Sequence, residues 1–253
     1  MNISNTKAYV QLLLGLKPNE VLGFRLVTML AKRLIPHYRF TWPELAWFRD
    51  ARLTDTLTRF GENHGFNAHR KHALQQLLRL IDGVAGDTVE CGVYKGCSSF
   101  IMLSANGKSS FARTHHIFDS FEGLSGPTDK DGQYWTANDL AVTEQMVRQN
   151  LHEFENAILY RGWIPDRFAE VANQRFSFVH VDVDLYQPTL ESIMFFYDRI
   201  NPGGIFVCDD FGFLTCPGAT AAVKEFLRAK PEKMISLAGG GGFFIKGCVT
   251  AGE

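Results

Sequence analysis

From Gly86 onward the chain alternates short apolar runs with stretches whose apolar residues recur at helical spacing. Runs of β-branched and aromatic residues closed off by Gly, Pro and Asn read as buried strands. They predict strands at about 87–91, 114–118, 157–161, 176–182 and 204–208, then a closing hairpin near 233–237 and 242–247. Gly239 to Gly242 fall at the turn of that hairpin. Strands that alternate with helices predict an α/β fold, a doubly wound and mostly parallel seven-stranded sheet. Before residue 80 the pattern is helical. Leu22, Leu26, Met29, Leu30 and Leu34 recur at helix spacing with Arg25, Lys32 and Arg33 between them, and Pro36 and Pro43 mark breaks. The expected organisation is an N-terminal helical arm over 1–79 and one α/β domain over 80–253. The arm reads as a lid or a homo-oligomer contact in preference to a cationic helix lying on an anionic membrane surface.

Composition narrows the classes further. A chain of 253 residues that is 45% hydrophobic and 21% charged can bury a full core. A formal net charge of -1 gives no basic excess for nucleic acid, so a small-molecule partner is expected. Five cysteines, an odd number without CxxC spacing, fit a reduced, cytoplasmic setting. The first residues lack signal-peptide character, because Val10 to Leu16 is only a short apolar run, and no stretch reaches the roughly 18 apolar residues of a spanning helix.

The candidate chemistry sits at strand ends. Asp182-Val183-Asp184 follows the run Phe176 to Val181, and Asp209-Asp210 follows Gly204 to Cys208. If those strands are parallel neighbours, their C-terminal ends open into one cleft, where open α/β sheets bind ligands. Four carboxylates that close together invite a divalent cation. The first strand runs into Glu90-Cys-Gly-Val-Tyr-Lys-Gly96 and a helix, which is a nucleotide-site geometry. It departs from the dinucleotide fingerprint, because a glutamate stands where the first glycine of G-x-G-x-x-G would be. A carboxylate there repels pyrophosphate and suits a ligand with a free ammonium group. The second strand ends in Asp119, placed to accept hydrogen bonds from ribose hydroxyls. Together these describe an adenosine-type cofactor without phosphates.

The turn E-C-G-V-Y-K-G, F-D-S-F-E-G-L at 118–124, V-D-V-D-L-Y at 181–186 and C-D-D-F at 208–211 resemble the macrocin O-methyltransferase family over roughly residues 80–230. The resemblance implies a Rossmann-like class I methyltransferase that uses S-adenosylmethionine to methylate a sugar hydroxyl of a natural product or polysaccharide. It implies that Glu90, Gly92, Tyr94 and Gly96 line the methionine end of the cofactor, that Asp119 binds its ribose with Ser120 and Phe121 nearby, and that Gly162 and Trp163 cover the adenine edge. Asp182 would border the cofactor and, with Asp209 and Asp210, hold a magnesium-type ion, with Asp182 or Asp184 as catalytic base. The expected acceptor is a glycoside or saccharide.

Other readings of these residues stay open at this point. An Asp at a strand end often caps the next helix, as Asp184 could before Pro188, and Asp209 or Asp210 could cap a turn. A catechol-type enzyme would carry a lysine three residues after Asp182, where this chain has Leu185. A non-catalytic scaffold could keep the fold. His180, His115 and His116 read as core histidines, and His69 to His72 as a solvated helix face. The long loop 124–139 reads as functional, with Tyr134 and Trp135 either stacking on a sugar or sealing the core.

Overall fold

The computed structural model describes residues 20–251 apart from 36, 38, 40, 42–44 and 64. The run Val10 to Leu16 and the breaks at Pro36 and Pro43 lie outside the described residues. The chain divides into two compact units, Met1–Asp55 and Thr56–Glu253. In the first, helix α1 (Glu20–Leu34) carries the apolar stripe read from the sequence, and Val27, Met29, Leu30 and Leu34 are exposed. Helix α2 (Ala51–Phe60) runs across the division between the units.

The second unit is built on α3 (Gly65–Leu78), β1 (Asp87–Cys91), α4 (Cys97–Asn106), β2 (His115–Asp119), α5 (Glu144–Asn150), β3 (Ala157–Arg161), β4 (Phe176–Val181), α6 (Tyr186–Phe196), β5 (Ile200–Cys208), α7 (Pro217–Leu227), β6 (Ile235–Ser236) and β7 (Gly242–Ile245). Seven strands form one sheet in the order β3-β2-β1-β4-β5-β7-β6. The first five are parallel, and β7 runs antiparallel to both β5 and β6. All six residues of β4 are buried, as expected for a strand with helices on both faces. The apolar core packs Val89, Phe118, Val179, Ile193, Phe196 and Phe206 around it.

Strand β5 begins at Ile200, earlier than the sequence pattern indicated, so Asn201 to Gly204 belong to it. Gly204 explains this: a Cβ there would lie 2.9 Å from the Ser177 carbonyl oxygen, so only glycine lets this segment close against β4. The final hairpin is shorter than expected at both strands. Gly239 to Gly241 lie in its turn while Gly242 already belongs to β7, paired with Ser236, and Gly241 donates its N–H to the Phe211 carbonyl at 3.1 Å.

Strand order reverses between β1 and β4, which fixes where a ligand cleft opens. The register then sets the site residue by residue. Asp182 N–H bonds the Cys91 carbonyl at 2.9 Å, and Asp209 N–H bonds the Val181 carbonyl at 2.9 Å. Each doublet is therefore the first step beyond the ladder, and the two lie side by side.

Candidate active site

The turn after β1 is built around Gly92. Its φ is +82°, its N–H bonds the Phe118 carbonyl at 2.9 Å, and a Cβ would stand 1.9 Å from the Asp182 carbonyl oxygen. Only glycine fits there. Tyr94 and Gly96 also take positive φ, which swings the chain round into α4. Asp119 closes the turn by accepting the Val93 N–H at 2.8 Å and the Phe121 N–H at 2.6 Å. Burial still holds its pKa above the ordinary value against those two bonds. Ser120 donates to the Gly123 carbonyl at 2.9 Å.

Glu90 faces inward. Opposite His180 in the β1–β4 register, it accepts from the Ser99 hydroxyl and lies 2.9 Å from His180 Nδ1. Ser99 continues to His115 Nε2 at 3.0 Å, and His115 Nδ1 to Thr88 at 2.9 Å. Burial pushes His115 down to about 4. Burial would raise Glu90, but its bond to His180 and the charges of His180 and His115 hold it low. His180 is only half satisfied. Its Nε2 has no hydrogen-bond partner and faces Asp209 Oδ1 at 3.7 Å. Burial opposes its charge, yet Asp209 and Glu90 bring its pKa up to about 9.

The four acids pair across the doublets. Asp182 and Asp209 cluster with His180, and Asp184 and Asp210 cluster with Cys216, each set having ligand atoms within 4.8 Å of one another. Arg70 forms an ion pair with Asp209, and Lys71 Nζ stands 3.9 Å from Asp182 Oδ2. Burial and Asp209 push Asp182 up to about 7, against Lys71 and Arg70. Burial raises Asp184 to about 6 although the Cys216 thiol donates to it at 3.4 Å. Burial would raise Asp209 as well, but Arg70, then Lys71 and His180, hold it far below the carboxylate range. Burial, and then the charges of Asp184, Asp182 and Asp209, drive Asp210 well above it.

Asp210 accepts the backbone N–H groups of Val183 at 3.1 Å and Asp184 at 2.8 Å, so it holds the turn in which Asp184 takes a φ of 60°. Helix α6 is capped by Asp131 from the long loop, which accepts the Tyr186 N–H at 2.6 Å, and not by Asp184. One other expectation changes, and the alternatives left open for Tyr134 and Trp135 divide between them. The run His69 to His72 is not a solvated face: Lys71 is 4% exposed and Arg70 points at the acids. Trp135 donates to Cys216 Sγ at 3.3 Å and packs on the core, while Tyr134 is 63% exposed.

A cavity of about 730 Å³ joins the glycine turn to the acids. Gly92, Tyr94, Asp119, Ser120 and Trp163 line one part of it, and Asp182, Asp184 and Asp210 another. Glu90, Gly96, Phe121, Gly162 and Asp209 stand behind the wall; Phe121 packs with Val93 and Leu103, and the Gly162 N–H bonds the Asp119 carbonyl at 3.0 Å. Arg70, Lys71 and Glu62 line the cavity and were missed in the sequence. Lys71 did leave a signal, since it falls on the helical stripe of Leu74 and Leu78, both buried. The acids fit a hard divalent ion chemically. Their donors are oxygens, and three of the four are held above the carboxylate range by one another and by burial, a repulsion that a dication relieves.

A family model described as macrocin-O-methyltransferase (TylF) matches residues 66–244. The 8-demethyl-8-(2,3-dimethoxy-alpha-L-rhamnosyl)-tetracenomycin-C 4'-O-methyltransferase of Streptomyces olivaceus is 32% identical over 154 residues, 55% of this chain and 58% of that protein. The mycinamicin III 3''-O-methyltransferase of Micromonospora griseorubida is 28% identical over 172 residues, 62% of this chain and 65% of that protein. The chain thus spans less than two thirds of the length of these two curated relatives. Among solved structures, the calicheamicin methyltransferase CalS11 shares the fold with a TM-score of 0.64 at 19% identity, covering 85% of this chain and 97% of that one. The O-methyltransferase NovP does so with a TM-score of 0.59 at 24% identity, covering 75% and 87%.

Proposed function

Because this chain belongs to the macrocin O-methyltransferase family, we propose that it transfers a methyl group from S-adenosylmethionine to a hydroxyl of a sugar or glycosylated metabolite, with a magnesium-type ion at its acidic cluster. The observation that carries the reading is the single cavity shared by the glycine turn with Asp119 and by Asp182, Asp184 and Asp210. When bound, the cofactor supplies an electrophilic methyl on a sulfonium, and a divalent cation lowers the barrier to ionising a coordinated hydroxyl.

In this reading Asp119 accepts the ribose hydroxyls, and Trp163, 38% exposed on the cavity wall, covers the adenine edge. Asp182 and Asp210 on the cavity wall, with Asp209 behind it, would hold the cation. Asp184 receives the acceptor proton from its place on the cavity wall, with the thiol of Cys216 orienting one oxygen. The exposed ring of Tyr134 offers the acceptor a stacking face. Positioning is the main contribution, since the transfer is a direct displacement. A catechol-type reaction is disfavoured by Leu185, which is buried and carries no base. Among the described residues no helix is long and apolar enough to cross a membrane. Four buried free thiols support a reducing compartment such as the cytoplasm, and the exposed apolar residues of α1 support a homo-oligomeric role for the arm.

Calorimetric titration with S-adenosylmethionine, with and without Mg²⁺, tests the reading. Binding in the low micromolar to millimolar range is expected, with turnover of glycoside acceptors that chelation by EDTA removes. A protein that binds no cofactor under either condition is not this enzyme.

A further inference from the structure

Of the four acids at the strand ends, Asp209 stands behind the cavity wall and the other three on it. Both of its oxygens face protein cations. Arg70 from α3 forms an ion pair with Oδ2, and His180 Nε2 lies 3.7 Å from Oδ1. Arg70 itself lines the cavity, and the two side chains of the ion pair are 13% and 7% exposed. The contact places a fixed positive charge on the cavity side of this carboxylate.

The chain builds the place for that charge from three directions. Asn67, three residues earlier on the same helix, accepts a guanidinium N–H through Oδ1 at 3.0 Å. The guanidinium carbon also lies over the ring of Phe213, just beyond the second doublet, 5.4 Å from its centroid. The glycine turn of the last hairpin closes the third side. A Cβ at Gly240 would stand 2.1 Å from Phe213 Cζ, and one at Gly239 would stand 2.8 Å from His69 Cβ, so bare backbone is what lets this turn pack on both Phe213 and α3. Burial works against the charge of Arg70, but Asp209, then Asp182, Asp210 and Asp184, hold it firmly protonated. A unit charge that close to a dication site in a partly buried setting opposes the dication strongly, and an arginine does not titrate away.

We propose that Arg70 is the resident counter-cation of Asp209 and competes with a divalent ion for it, so that α3 sets how tightly the acidic cluster takes its cation. Arg70 acts here as a positioning residue. It keeps Asp209 paired while the cluster is empty, and it gives up that carboxylate, keeping Asn67 and the face of Phe213, when the cluster is filled. The inference rests on the reading of the cluster as a divalent-cation site and adds the residue that opposes its filling. Removing the charge of Arg70 therefore reads as a gain in cation affinity, the reverse of what loss of a supporting contact gives.

The probe is Mn²⁺, followed by the electron paramagnetic resonance signal of the free ion, which needs neither acceptor nor turnover. Arg70→Met removes the charge and keeps the bulk, and it is expected to bind Mn²⁺ roughly 10- to 100-fold more tightly than the wild type. Arg70→Lys keeps the charge and is expected to stay within about threefold of the wild type. Cooperative unfolding in urea reports that a variant is folded; where Arg70→Met does not fold, Arg70→Gln carries the same criterion. Unchanged or weaker Mn²⁺ binding in the uncharged variant, with Mn²⁺ bound by the wild type, overturns the inference and leaves the cation site standing. Equal tightening in Arg70→Lys overturns it as well, because charge would not be the cause. No Mn²⁺ binding by the wild type or any variant overturns the inference together with the cation part of the parent reading, and binding of S-adenosylhomocysteine then decides whether methyl transfer stands without it.

Discussion

Asp209 and Asp210 are adjacent in sequence, equally buried, and pushed in opposite directions. Asp209 meets Arg70 and Lys71 from α3 and the imidazole of His180 from β4, and these overcome burial and keep it charged. Asp210 is driven well above the carboxylate range by burial and then by Asp184, Asp182 and Asp209, with the charge of Arg70 opposing them. The doublet is therefore two half-sites that share a backbone. The Asp182–Asp209 half is tied by ion pairs to a helix more than a hundred residues earlier in the chain. The Asp184–Asp210 half is held by its own turn and by one thiol. What chemistry an acid can do here depends less on its place in a motif than on which element the fold brings against it.

The largest expected effect treats the halves as one site. Asp209→Asn with Asp210→Asn should lower turnover at least about 100-fold while leaving S-adenosylmethionine affinity within a few-fold, because the pair would hold the ion and not the cofactor. Single-turnover rates and calorimetry on the same preparation check this. A comparable fall in cofactor binding would mean that the two ends of the cavity are not separable.

The singles then separate the halves. Asp209→Asn leaves Arg70 without its nearest anion in a buried setting, and a loss of roughly 3 to 5 kcal/mol is expected in urea unfolding without added metal. Asp210→Asn keeps an oxygen to accept the Val183 and Asp184 N–H groups and removes a repelled charge, so a change below about 1 kcal/mol is expected. Equal losses would erase the distinction between the two acids.

The contrast was half legible in the sequence. Both doublets follow apolar runs that could only be strands, so a shared acidic cleft at the strand ends could be read directly, as could the glycine turn and Asp119. The partners could not. Arg70 and Lys71 lie in a helix whose charged run resembles a solvated face, and only the coincidence of Lys71 with the buried stripe of Leu74 and Leu78 marks it as inward. Pairing across the doublets depends on the positive φ of Asp184, a residue type that visits that region without announcing it. Glu90 shows the converse: its position in the turn points to a ligand contact, and the β1–β4 register adds a partner the sequence does not show, His180. Asp131 took over a cap that local spacing would have given to Asp184, because a long loop can reach a helix start that short-range reasoning does not connect to it.

The Asp209 half also rests on the buried chain from His115 through Ser99 and Glu90 to His180. His115 is depressed to about 4, below the roughly 6.5 of an unfolded histidine, so its neutral form stabilises the fold above pH 6.5 and that contribution is lost as pH falls toward 4. The loss is on the order of 3 kcal/mol at most. Unfolding curves between pH 7 and pH 4.5 should show it, and His115→Asn should flatten that limb. An unchanged slope in the variant would remove His115 from the support of the Asp209 half.

The smallest effect belongs to the other half. Cys216 receives the Trp135 N–H at 3.3 Å and donates to Asp184 at 3.4 Å, both weak contacts of a polarizable sulfur. Asp184 is held more firmly by its N–H bond to Asp210, at 2.8 Å. Cys216→Ala should therefore cost less than about 1 kcal/mol in stability and reduce turnover only a few-fold, and Cys216→Ser should recover much of that through a stronger hydroxyl donor. Paired stability and kinetic measurements decide between two anchors for the proton acceptor. If Cys216→Ala falls as far as Asp209→Asn while the serine variant is normal, the thiol position and not the Asp210 turn orients Asp184, and the self-contained half-site would have to be redrawn to include the loop that carries Trp135.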